Sequence, residues 1–111
     1  MAVDLSSPFG PQTRTRLLVA LSLLGESYPR EMARLLGVSL STVQKALASL
    51  ERDGLVAVRS VGRTRVARID PCYFARRELL AYLGSLAVAD RELVKAVSSL
   101  RRRPRRTGKP S

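Results

Sequence analysis

Ser41, Thr42, Gln44 and Lys45 carry the hydrogen-bonding chemistry that stands out in this chain. Two hydroxyls, an amide and a cation over residues 41–45 can meet base edges and phosphate oxygens. Their neighbours Val43, Ala46, Leu47 and Leu50 fall at i, i+3, i+4 and i+7, the apolar side of one helix. The opposite side holds Ser41, Lys45, Ala48 and Arg52, with Thr42 and Gln44 on its flanks. Other chemistry is poorly supplied. The chain has no histidine and one cysteine, so it offers no imidazole base and no set of thiolate ligands. Acidic residues occur singly, and no Gly-rich phosphate loop is present. We expect no enzymatic activity, no cofactor and no metal. Cys72 follows Pro71, and a helix opening there would favour a thiolate and a redox role; an inert thiol is the plainer reading.

The polar face needs elements to present it. Pro29 suits the first position of a preceding helix, in which Met32, Ala33, Leu35 and Leu36 face inward. Gly37 can take the positive φ that ends it. Ser39 is placed to cap the next helix, and Gly54 closes that one. Residues 29–54 therefore read as a helix-turn-helix whose second helix lies in a DNA major groove. Two amphipathic helices of an ordinary small domain would share this periodicity. The agreement of Pro29, Gly37, Ser39 and the bare polar face favours the DNA reader.

Around this motif the chain divides into four parts. Residues 1–10 form a loose lead-in without periodicity. A first helix begins near Pro11 or Gln12, with Leu17, Leu18, Leu21 and Leu24 as its stripe. Its Arg14 and Arg16 read as solvated surface cations, with phosphate contacts as the alternative. Residues 55–61 and 64–69, rich in β-branched side chains, flank Gly62-Arg63 and form a hairpin. Arg59, Arg63, Arg65 and Arg68 crowd it. Such cations can protect a sheet edge, but beside a helix-turn-helix they suit a wing that contacts phosphates. The DNA-binding part thus covers 11–70. In 71–100, Pro71 opens a further helix with Tyr73, Phe74, Leu79, Leu80, Leu83 and Leu86 as its stripe, interrupted near Gly84. A last helix starts at Asp90, with Leu93, Val94, Val97 and Leu100 inward. Residues 101–111 have no apolar side chain and read as a disordered basic tail.

The balance of charge fits that reading. The 111 residues carry 20 Lys and Arg against 9 Asp and Glu, a formal charge of +11, which favours a polyanionic partner. A membrane is not expected as that partner, because apolar runs such as residues 17–24 are too short to span one. With 45% hydrophobic residues the chain should fold as one domain with a modest core. The N-terminus lacks a signal-peptide pattern, and the lone Cys72 fits a reducing cytoplasm.

Taken together, the helix, the helix-turn-helix, the Arg-rich hairpin and the terminal helix resemble the winged helix-turn-helix transcription regulators, most closely the ArsR-like group. The resemblance runs from about Phe9 to Leu86. Its most diagnostic stretch is ARLLGVSLSTVQKALASLERDGLV, residues 33–56, followed by VGRTRVARID. It implies a mostly α fold with a small β-hairpin wing and extra C-terminal helices. It also implies base or groove contacts from Ser41, Thr42, Gln44 and Lys45, with Ser39 at the helix start, and wing contacts from Arg59, Arg63 and Arg65. Terminal helices in this group build a two-fold dimer, so a homodimer on double-stranded DNA is expected. Two departures stand out. Leu40 replaces a polar reader, usually Gln, and either touches a thymine methyl or packs under the turn, the reading we favour; the cysteines and histidines of metal-sensing members are missing. The expected function is a sequence-specific DNA-binding regulator, a repressor acting by occupying its site. A protein-interaction module and a non-specific architectural nucleic-acid binder are the alternatives.

Overall fold

Five consecutive fully buried residues, Leu17 to Leu21, make helix α1 (Gln12–Leu24) the axis of the molecule. A helix enclosed on so many sides must have partners all round it. In the computed structural model, which describes residues 12–102, α1 packs against every other helix and against the sheet. Helix α2 (Pro29–Leu36) starts with proline and ends at Gly37, whose φ of +68° lets its N–H reach the Ala33 carbonyl. Helix α3 (Leu40–Arg52) follows, capped by Ser39, whose Oγ accepts from the Thr42 N–H at 3.1 Å. Val43, Ala46, Leu47 and Leu50 are all buried, as their spacing requires.

The sheet has one strand more than the sequence suggests. Strands β2 (Val56–Val61) and β3 (Thr64–Ile69) pair through the Gly62-Arg63 turn, with Gly62 at φ +62°. Strand β1 (Glu26–Ser27) pairs antiparallel with β3, giving the order β1-β3-β2. Two residues are too few to display an alternating pattern, so β1 leaves no signal in the sequence. Residues opposite one another share a face. Val56, Val58, Arg65, Ala67, Ile69 and Ser27 line the inner face, while Ala57, Arg59, Val66, Arg68 and Glu26 line the outer one.

After β3 the chain departs from the expected course. No helix opens at Pro71. The Asp70 carboxylate accepts from the Cys72 N–H at 2.8 Å, and the Asp70 carbonyl accepts from the Tyr73 N–H at 3.1 Å. Asp70-Pro71 thus makes a turn, the alternative an aspartate offers to its own backbone. Helix α4 (Arg76–Ala89) begins later and passes Gly84 without interruption. Tyr73 and Phe74 therefore precede the helix. The exposed Cys72 is not at a helix start, so the reason for a redox role falls away.

Helix α5 (Arg91–Arg102) is capped by Asp90, whose Oδ1 accepts from the Leu93 N–H at 3.2 Å. It runs two residues into the segment read as a tail from 101. The lead-in, 1–10, and the remainder of the basic tail, 103–111, lie outside the described residues. Leu79 and Leu83 are buried in the common core and α4 packs on α1, so one chain already covers much of the C-terminal stripe. What stays outside is Phe74, 91% exposed, Val88, 79% exposed, and part of Tyr82. Among the described residues no helix is long and apolar enough to cross a membrane.

Candidate nucleic-acid interface

Helix α3 presents Ser41, Gln44, Lys45 and Ala48 to solvent, because the opposite side of the same helix is consumed by the core. Thr42 is half-buried, and its hydroxyl lies 2.8 Å from that of Ser39. Ser39 and Thr42 therefore hold the first turn of α3 together. The groups left free on the outward face are Ser41, Gln44 and Lys45.

The hairpin stands beside this face. Gln44 of α3 and Arg65 of β3 line one open groove of about 330 Å³, together with Arg63 and Thr64 at the hairpin tip. The pairing register explains why Arg65 is there. It lies on the inner face of the sheet, but close enough to the tip to pass beyond the core, and it remains exposed. Arg59 has the other parity. It lies on the outer face, where it donates to Glu26 at 3.1 Å, both side chains being half exposed. The three expected wing residues are thus divided: Arg63 and Arg65 adjoin α3, and Arg59 does not.

Tyr28, Pro29 and Arg30 join the groove although sequence reasoning gave them no place in it. Leu40, which the sequence leaves between a thymine methyl and packing under the turn, lines the groove as well. The sequence reading treats Arg30 only as a residue beside a helix-starting proline. Its signal is a cation at a helix N-terminus, against the dipole preference. Leu40 is half-buried and reachable from the groove, one turn from Gln44.

Four carboxylates are held away from the groove, while the exposed Glu51 lines a neighbouring pocket with Gln44 and Arg65. Asp53 pairs with Arg14, Asp90 with Arg16 and Glu26 with Arg59. Buried Glu31 accepts from the Ser27 hydroxyl. Among the described residues, Arg30, Lys45, Arg63 and Arg65 enter no ion pair. Arg30, Arg63 and Arg65 border the groove that Gln44 also lines, and unpaired cations beside an amide suit a polyanion whose edges can be read. Among the described residues no group of three or more Cys, Asp or Glu side chains could hold a metal ion.

A helix-turn-helix flanked by a two-stranded wing defines a winged helix protein. The MarR family matches residues 10–65, half of the chain. The chain belongs to the MarR family. The sequence resemblance points most closely to the ArsR-like group instead, and what the two assignments share is the winged helix-turn-helix. No curated protein matches the chain. Among solved structures, a mutant of Lactococcus lactis ZitR is similar, with a TM-score of 0.61 and 17% identity. The similarity covers 87% of this chain and 64% of that one. At such identity the likeness concerns the fold, and this chain spans less than two thirds of its neighbour's length.

Proposed function

We propose that the chain is a sequence-specific DNA-binding transcriptional regulator that represses by occupying its site. The observation that carries this reading is the shared groove: Gln44 on α3 and Arg65 on the wing border one space, with Arg30 and Arg63 beside it and no carboxylate paired to any of them. In this reading α3 enters the major groove, with Ser41, Gln44 and Lys45 meeting base edges or the adjoining phosphates. Leu40, half-buried at the edge of the groove, meets a thymine methyl in the same reading. Arg63 and Arg65 take phosphates on one side and Arg30 on the other, while Ser39 and Thr42 hold the helix start and Arg59 braces the wing.

Membership of the MarR family supports this assignment. A homodimer follows from the same reading, because a winged helix presents one reading helix per chain and an operator of two half-sites needs two. Phe74 and Val88, the most exposed large apolar side chains among the described residues, suit that contact. The reading carries a cytoplasmic location with it. Selection of DNA from a random pool at two salt concentrations tests the proposal. Enrichment of one inverted repeat at both supports it, and a pool that stays random at both contradicts it.

A further inference from the structure

Arg14 and Arg16 are the two cations of α1, and both are largely withdrawn from solvent, with side chains 16% and 21% exposed. Surface cations on a strongly basic protein have no need to be so placed. Arg14 donates through Nη2 to Asp53 at 2.8 Å and through Nη1 to the Ser49 hydroxyl. Ser49 lies in the last turn of α3 and Asp53 is its C-cap, so one guanidinium grips that helix end at two points. A cation there also suits the negative end of the helix dipole.

Two residues further on, about 200° around the helix, Arg16 points to the other flank of α1. It donates to Asp90 through Nε at 2.7 Å and through Nη2 at 3.4 Å. The Asp90 side chain is 5% exposed, and it also caps α5. One carboxylate thus holds the α4–α5 joint to α1.

We propose that Arg14 and Arg16 are positioning residues, two clamps on opposite flanks of α1 that set the pitch of α3 against the C-terminal helices and hence the angle at which Gln44 meets DNA. The inference rests on the DNA-reading assignment above. Apolar packing under Val43, Ala46 and Leu47 holds α3 in place but is not directional, whereas a guanidinium fork has fixed geometry. Leverage makes the far end matter. Gln44 lies about 14 Å along the helix from Asp53, at 1.5 Å per residue, so a tilt of about 10° at the clamp moves it by about 2 Å. That exceeds the distance over which a hydrogen bond survives. The C-terminal helices reach α3 through the same α1, and α5 also through α2, so a shift of the α4–α5 pair has a packed path to the reading end.

The full chain tests this through Asp53→Asn, Arg14→Lys and Asp90→Asn, each measured for melting temperature and for affinity on the selected site and on random DNA. Asp53→Asn removes a negative charge, which by electrostatics alone leaves binding to random DNA unchanged or stronger. We expect its preference for the selected site to fall about threefold to tenfold, in the range of a partly exposed ion pair. Arg14→Lys keeps the charge but loses the fork, and should fall with it. The double variant should be no worse than either alone. Asp90→Asn retains a capping oxygen and should also narrow the preference. Should Arg14→Lys or Asp90→Asn fail to fold, Asp53→Asn, with its half-exposed carboxyl, still decides. A lowered melting temperature with an unchanged preference ratio in every folded variant overturns the proposal and leaves the clamps a purely structural role. A wild-type chain that prefers no sequence overturns the DNA-reading assignment instead.

Discussion

Gln44 is the residue on which sequence reading most depends, since an amide can both donate to and accept from one base edge. Gln44→Ala should cost about 1–3 kcal/mol on the preferred site and little on random DNA. Equal losses on both in a binding titration would remove its reading role. In the proposed reading Arg65 makes the other class of contact, to phosphate. Arg65→Ala should weaken binding to all sequences alike and lower the salt slope by about one unit; a changed sequence preference at constant slope would argue against it. The side chains on the reading face were legible because a helix turns through a fixed angle per residue, which separates Ser41, Gln44 and Lys45 from the buried Val43 and Leu47. Pairings across the chain were not. Arg14 and Asp53 are remote in sequence, as are Arg16 and Asp90, and no local pattern joins them. Arg59 shared its charge and element with Arg65, and only the pairing register separates the two onto opposite faces of the sheet.

At the scale of elements, local punctuation carried most of the information. Gly37, Ser39 and Gly62 each mark a boundary that the backbone conformation requires there. Ser39 illustrates how a boundary residue and a reader can be confused. Its hydroxyl accepts from the Thr42 N–H and lies beside the Thr42 hydroxyl, so capping occupies it. Ser39→Ala should therefore lower stability by about 0.5–2 kcal/mol in thermal or denaturant unfolding. Sequence preference should be retained, and a large loss of preference without loss of stability would make Ser39 a reader after all. Two elements escaped the sequence for physical reasons. Strand β1 is too short for periodicity. Pro71 is equally at home in a helix start and in a turn, and the Asp70 carboxylate settles the matter by taking the Cys72 N–H.

For the whole molecule, the central place of α1 changes the argument for association. The leucines of α4 are largely accounted for within one chain, leaving Phe74, Val88 and part of Tyr82 as the exposed apolar residues of the C-terminal region. Phe74→Ser with Val88→Ser should weaken self-association with little effect on folding, since neither side chain is in the core. Sedimentation at micromolar concentration checks this, and a wild-type chain that remains monomeric on DNA would refute the homodimer. In the proposed function the net charge of +11 has a different role: it should accelerate encounter and raise affinity for any DNA, without selecting a sequence.

The central claim is that base reading by α3 is added to this general attraction, and the salt dependence of two affinities tests it most directly. Wild-type binding to the selected site and to a scrambled site of equal length should be measured from about 50 to 200 mM salt. Both affinities should fall steeply as released counterions lose their advantage. The selected site should stay at least about 10³-fold tighter throughout, because base contacts do not depend on counterion release. A ratio that stays near one across the range would mean that charge alone binds the DNA, and would contradict the account.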